Sequence, residues 1–323
     1  MSFTVHPQKS FERRAVSAHL RVVPKTDLTP VFSLLIAGLL CCVTEARPAE
    51  DEPDKKSGLR KLQLVTDRSA VSPGEPFTVA LEIEPMPGYH TYWRGPGIVG
   101  VATNIEWSLP DGFSAGEIAW PPPQKVLMAG ITAYGYRDRQ LLLTEITPPQ
   151  DLEGDTITLK ARVAWMACSI SCHPGFGDLT LTVPVNRTGE KGKGGTALSE
   201  AFDRVRRSIP PAAPASWKME LRSVAPDQIE LDLIIPDSFP APAQALSFFC
   251  YDMQVDSDEP QQVTVLADKG GTKWRLGLTR PDVAPRSPAV FAGVLCYPGG
   301  WPGLNSSFVE ISIPWPPGTF SNE

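Results

Sequence analysis

Apolar and polar residues alternate along most of this chain. Leu62 and Leu64 begin the pattern, followed by Phe77, Val79, Leu81 and Ile83, then Ile105, Trp107 and Leu109. Ile157, Leu159, Ala161, Val163 and Trp165 share one face of a longer run, and Leu179, Leu181, Val183 and Val185 close the series. The continuous run Leu141 to Leu143 reads as a short buried strand. A period of two is the signature of a strand, whose successive side chains point to opposite faces. Many such short runs, broken by turn residues, predict a β-sandwich. A second series comprises Trp217, Met219 and Leu221; Ile229, Leu231, Leu233 and Ile235; Phe248 and Phe249; and Val263 and Val265. It continues through Trp274, Leu276 and Leu278, Phe291 to Leu295, and Val309, Ile311 and Ile313, and predicts a second small sandwich. A single helical pattern interrupts: Leu198, Phe202 and Val205 fall at i, i+4 and i+7 before Pro210 stops the helix. The expected fold class is therefore all-β.

The gaps in this pattern divide the chain. Residues 186–197 (NRTGEKGKGGTA) read as a linker between domains at 60–185 and 198–323. Residues 47–59 are charged and proline-bearing, and are expected to form a disordered lead. Residues 1–46 read as a signal segment: Arg13, Arg14, Arg21 and Lys25 precede the apolar run Val31 to Val43, and Ala46 offers a small residue at a cut. The apolar run is shorter than the ~20 residues of a membrane span. Arg13-Arg14 lies too far from it for a twin-arginine signal, and Leu40 precedes Cys41 where lipid attachment needs a small residue. Export to the periplasm or cell envelope is the expectation; left uncleaved, the same segment would tether the protein to the membrane. The 34 prolines are about twice the usual ~5% share and fall between the apolar runs, which strengthens the reading of short strands and turns. A net charge of -6 with no basic stripe argues against nucleic acid as a partner.

Four cysteines follow the signal segment: Cys168, Cys172, Cys250 and Cys296. An even number in an exported chain favours disulfides over zinc. On the strand 156–168 the core face carries Ile157, Leu159, Val163 and Trp165. The other face carries Thr156, Thr158, Lys160 and Arg162, then turns uncharged at Ala164, Met166 and Cys168, so something should cover that end. Cys168 and Cys172 sit at a strand-to-strand connection and can pair if their α-carbons come within ~7 Å. So short a loop gains little closure entropy from a bridge, which points to exchange chemistry rather than stapling. A local structural disulfide fits the same spacing. Zinc lacks a fourth ligand beyond Cys168, Cys172 and His173. Cu(I) would suit Cys168, Cys172, His173 and Met166. His173, if protonated, would favour a thiolate; a solvated loop histidine is the plainer alternative. Cys250 and Cys296 lie at strand ends far apart in sequence, and are expected to form a structural disulfide worth ~3–4 kcal/mol on the chain-entropy model.

Several motifs occur together in order. They are Pro87-Gly88-Tyr89-His90-Thr91-Tyr92-Trp93-Arg94-Gly95-Pro96-Gly97, Ile105-Glu106-Trp107 with Leu109-Pro110-Asp111-Gly112-Phe113, Trp120-Pro121-Pro122-Pro123, Tyr134-Gly135-Tyr136, and Trp165-x-x-Cys168-x-x-x-Cys172-x-Pro174. Over about residues 60–185 this resembles the amino-terminal periplasmic domain of the DsbD thiol:disulfide interchange proteins, in the branch that includes ScsB. Phe248-Phe249 and Gly293-Val294-Leu295 resemble the second β-domain of that branch. The resemblance implies immunoglobulin-like sandwiches in tandem, with Cys168 and Cys172 as the exchanging pair and no cofactor beyond their redox-active disulfide. It implies that His90 and Tyr92 flank the pair and that a cap at Val126 to Tyr134, including Met128 and Tyr134, shields it, which would account for the uncharged face at Ala164 and Met166. The implied partners are a membrane-embedded electron carrier of DsbD or CcdA type and periplasmic thioredoxin-like or disulfide-bonded proteins. The implied role is that of a protein-disulfide reductase component, in processes such as cytochrome c biogenesis or copper tolerance. The chain shows no run of transmembrane helices and no Cys-x-x-Cys after residue 185, so a separate protein would have to supply electrons. The alternative reading is a non-catalytic binding or scaffold module of the envelope.

Overall fold

A computed structural model describes residues 57–186, 196–236, 246–268, 271–286 and 288–316. The predicted signal segment 1–46, most of the lead and most of the linker lie outside the described residues. The described residues belong to one compact unit. The strands of the first half are β1 (Leu59–Thr66), β2 (Phe77–Pro85), β3 (Thr91–Tyr92), β4 (Asn104–Ser108), β5 (Ser114–Ala115), β6 (Gln124–Met128), β7 (Ile131–Tyr136), β8 (Gln140–Thr147), β9 (Thr156–Cys168) and β10 (Cys172–Pro184). Helix α1 (Ser199–Ser208) follows. The second half contributes β11 (Lys218–Ala225), β12 (Gln228–Ile235), β13 (Ser247–Cys250), β14 (Gln262–Asp268), β15 (Gly271–Thr279), β16 (Val290–Cys296) and β17 (Phe308–Pro314). All ladders between these strands are antiparallel.

The first half is an immunoglobulin-like sandwich. One sheet has the order β1-β2-β8-β5 and the other β10-β9-β4. Their inner faces bury Val79, Leu81, Ile83, Leu159, Val163 and Trp165, positions that the alternation marked, with Leu142 from the continuous apolar run. A third small sheet, β3-β7-β6, lies beside them. It escaped the alternation because β7 is buried on both faces from Ala133 to Tyr136, and so carries no polar stripe. The second half is another sandwich, with sheets β11-β12-β15-β14 and β13-β16-β17 around Leu231, Leu233, Trp274, Leu276, Phe291 and Ile311.

Three expectations shift. The lead does not extend to residue 59: Trp165 Nε1 donates to Ser57 O at 3.1 Å, Met86 N donates to Gly58 O at 3.0 Å, and Leu59 opens β1. Helix α1, grouped by sequence with the second domain, packs instead on the first sandwich. Its Phe202 is buried among Val65, Ala80, Leu141 and Leu143, and Arg206 bonds Asp67 at 2.6 Å. The reason is that β1, β2 and β8 are apolar on their outer face as well, and an amphipathic helix covers it. Finally, the two halves do not keep separate cores. Phe249 and Val294 of the second sandwich belong to the core of the first. The Phe249 ring stands 4.8 Å from that of Tyr134 and 6.4 Å from that of Trp93, both edge-on.

Because Phe249 fills the first core from the second sandwich, Phe249→Ala should cost about 3–5 kcal/mol, as truncation of a buried aromatic does. Urea unfolding followed separately by signals from each half should shift for both halves together.

Candidate active site

Strand β9 turns into β10 through the three residues Ser169, Ile170 and Ser171, so Cys172 lies directly opposite Cys168. The two are joined in a disulfide, with α-carbons 4.1 Å apart. The register explains the closeness. Cys168 N donates to His90 O, and His90 N donates to Cys168 O, both at 2.9 Å. The backbone groups of Cys168 thus face His90 and turn away from Cys172. That makes Cys168 and Cys172 the narrow kind of antiparallel pair, in which α-carbons approach to ~4.5 Å and side chains are close. Both cysteines and His90 therefore project from one face of the same three-stranded row.

The two sulfur-bearing residues differ sharply in exposure. Cys168 is fully buried, whereas Cys172 is exposed, with Ile170 at the hairpin tip beside it fully exposed as well. The hairpin β6–β7 provides the cover. Val126 and Ala133 bury themselves against Cys168 together with Tyr92, and Met128, Met166 and Val99 pack around them. The hairpin turns at Ala129 and Gly130, both at positive φ (52° and 89°), as a two-residue connection between paired strands requires. The uncharged outer face at Ala164 and Met166 is thus explained by the cap.

His90 and Tyr92 form a buried polar pair next to Cys168. Their rings meet edge-on at 5.1 Å, and His90 Nε2 lies 3.3 Å from Tyr92 Oη. Burial lowers the pKa of His90, and the Arg137 guanidinium lowers it further, so the ring is neutral at pH 7. A neutral imidazole protonated at Nδ1 accepts the Tyr92 hydroxyl. Burial pushes the Tyr92 phenol up to about 12, which keeps it a donor. His173 sits at the surface end: its Nε2 lies 2.9 Å from Ser171 Oγ and 3.4 Å from Tyr89 Oη. A groove of about 620 Å³ runs past the hairpin, bordered by Tyr89, His90, Leu127, Arg137, Ser169 and Ile170.

Residues 61–184 match the family model described as "Thiol:disulfide interchange protein DsbD, N-terminal". This segment is a DsbD N-terminal-type domain. With its Cys168–Cys172 bond it is a thiol–disulfide interchange module. No curated protein matches the chain. Among solved structures, the N-terminal periplasmic domain of ScsB from Proteus mirabilis aligns at 18% identity, covering 78% of this chain and 91% of that one, with a TM-score of 0.49. Domains 5–6 of the S-layer protein SbsC align at 10% identity over 79% of this chain and 96% of that one, with a TM-score of 0.19. The Actinomyces fimbrial adhesin FimA aligns at 10% identity with the same coverages and a TM-score of 0.21.

In this DsbD N-terminal-type domain, Cys168, Cys172, His90, Tyr92, Met128, Met166 and His173 gather at one end of the sandwich. Tyr134 does not join them. It lies on the cap strand β7, but its ring points into the core against Phe249. The expected Cys250–Cys296 bridge is not formed, and both residues are free thiols. They stand on adjacent strands but out of register, since Cys250 faces Gly293 and Cys296 faces Ser247. Three residues of offset along paired strands is about 10 Å, beyond the ~7 Å a disulfide tolerates. Burial raises the pKa of both thiols; for Cys250 the Asp252 carboxylate adds to the effect. Ile170 and Arg137, not singled out from the sequence, border the groove beside the hairpin together with Leu127 of the expected cap; the packed structure brings them there. Among the described residues no group of three or more His, Cys, Asp or Glu side chains is placed to hold a metal ion. No helix among them is long and apolar enough to cross a membrane.

The lowered pKa of His90 has a consequence for stability. An unfolded chain protonates its histidines near ~6.5, whereas folded His90 stays neutral to lower pH. Below ~6.5 the unfolded state binds the extra proton, so stability is full above that pH and falls as the pH drops through it. Thermal unfolding between pH 7 and pH 5 should show this fall, and His90→Gln should flatten it.

Proposed function

We propose that the chain is an electron-relay component of the periplasm. A membrane-embedded carrier of the DsbD or CcdA kind reduces the Cys168–Cys172 bond, and the resulting dithiol reduces thioredoxin-like or disulfide-bonded proteins. The observation that carries this reading is the asymmetry of the bond, one cysteine at the surface and its partner under a cap. A bond meant only to staple the hairpin would not need its second sulfur shielded.

The asymmetry also supports a division of roles. In the reduced domain the Cys172 thiolate attacks one sulfur of the partner disulfide, and the partner's other sulfur leaves as a thiolate. Cys168, once deprotonated, attacks the Cys172 sulfur of the mixed disulfide and releases the partner's second thiol. The partner ends reduced by two electrons and the domain ends oxidised. Reduction by the carrier runs the same steps backwards: a carrier thiolate attacks Cys172 and Cys168 departs. Cys172 is the sulfur met by partners in both directions, because access decides which sulfur is attacked. Neutral His90 and the apolar cap enclose the buried Cys168 side chain, which suits a group that reacts only within the molecule.

Cys168→Ala should accumulate a covalent complex with a disulfide-bonded partner through Cys172, seen as a reducible band on a non-reducing gel. Cys172→Ala should accumulate none. If Cys172→Ala were the variant that traps, the assignment would be reversed. If neither variant trapped, and the wild-type bond resisted thioredoxin-like dithiols, the relay itself would fall.

A further inference from the structure

The cap hairpin is gripped from behind by the second sandwich. Along the outer edge of β7, Gly135 and Tyr136 pair with β3. Next along, Tyr134 N donates to Pro96 O at 2.9 Å, and Trp93 N donates to Tyr134 O at 3.1 Å. At Thr132 the backbone partners run out, and side chains of the second sandwich take over. Thr132 N donates to Asp258 Oδ1 at 2.8 Å, and Ser257 Oγ donates to Thr132 O at 2.6 Å. The same Ser257 oxygen accepts from Ile98 N at 3.1 Å. Two side chains therefore extend the ladder in place of a strand.

The contact is built for closeness. Ser257 is buried, and a Cβ on Gly97 would come within 2.3 Å of its hydroxyl; Gly97 also holds φ +90°. A Cβ on Gly95 would meet Cys250 O at 2.2 Å. Only glycine allows both approaches. The loop that presents Ser257 and Asp258 is itself pinned. Gln254 is fully buried, Arg280 Nε donates to its side-chain oxygen at 3.0 Å, and Asp256 N donates to Thr279 O at 2.8 Å. Meanwhile β6, on the other edge of the hairpin, lays Val126 and Met128 over Cys168. The strand that the second sandwich holds is the one that carries the lid.

We propose that Ser257 and Asp258 are positioning residues for exchange at Cys168–Cys172: from the second sandwich they hold the β6–β7 hairpin shut over Cys168. The functional meaning rests on the relay reading above; the structural coupling does not. The hold keeps Cys168 out of reach of foreign thiols and disulfides, so that its sulfur reacts with Cys172 alone. Asp258 is an exposed residue, so its loss leaves the core intact.

The test uses the reduced full chain and follows iodoacetamide alkylation of each cysteine by peptide mass spectrometry. Asp258→Ala, and the pair Ser257→Ala with Asp258→Ala, should raise the Cys168 rate, about fivefold for the single variant and about thirtyfold for the pair, since each lost bond to the hairpin is worth ~1 kcal/mol and each 1.4 kcal/mol is tenfold. Cys172 should keep its rate, and Asp258→Asn, which keeps the acceptor oxygen, should behave as wild type. An unchanged Cys168 rate, or an equal rise at both cysteines, would overturn the proposal. Asp258→Ala alone decides the matter if the double variant fails to fold. Trapping by Cys168→Ala reads the relay independently, so a failure of one reading is visible apart from a failure of the other.

Discussion

Two hydrogen bonds between Cys168 and His90 set the geometry on which the site depends. By drawing the backbone of Cys168 toward His90, they leave the opposite side of β9 to a narrow, unbonded pairing with Cys172. The short separation across that pairing is what lets a bond close over a three-residue connection. It also puts the imidazole, both cysteines and the Tyr92 ring on one face, where the cap covers Cys168 and Tyr92 and leaves Cys172 exposed. A one-residue slip of β10 would send Cys172 to the other face, because strand side chains alternate.

The cover is a small hairpin that would not be stable alone. Two strands in isolation are marginal in water. Here the inner strand gains its stability from the apolar cluster around Cys168, and the outer strand from β3 and the second sandwich. The aromatic seam of Trp93, Tyr134, Phe249 and Tyr251, with Arg94 stacked 3.9 Å over the Tyr251 ring, ties the same region together. The architecture thus divides its labour. The first sandwich carries the sulfur chemistry, and the second supplies rigidity to the one element whose movement would expose the inner sulfur. That division accounts for buried polar groups such as Gln254 and Arg280, which sit in the loop behind the cap rather than near the cysteines.

Charge is arranged to match. Arg137 stands beside His90 at the rim of the groove, together with Arg60 and Arg139, while Glu84 and Asp138 balance them. Arg60 pairs with Glu84 at 3.4 Å, and Arg139 with the buried Glu82. The rim is thus polar and mixed in sign, with Leu127 and Ile170 exposed within it. An apolar centre with a charged edge is the composition of a surface that meets partners briefly.

Much of this was legible in the chain. Alternation located β1, β2, β4, β9, β10, β11, β12, β14, β15 and β17, because half-buried antiparallel strands write their two faces directly into the sequence, and short continuous apolar runs located β8, β13 and β16. The loss of charge on the outer face of β9 announced a cover, and the spacing of Cys168 and Cys172 announced a hairpin bond. What alternation missed is instructive. β7 is buried on both faces from Ala133 to Tyr136, and so it gives no period. The partnering of Cys250 and Cys296 depends on a register between β13 and β16 that no local pattern encodes. Likewise, which cysteine is buried depends on Val126 and Ala133 meeting Cys168 in space, and the grip of Ser257 and Asp258 on the cap on segments more than a hundred residues apart. Local periodicity reports how a strand divides its own two faces; only the packed structure decides what comes to lie against them.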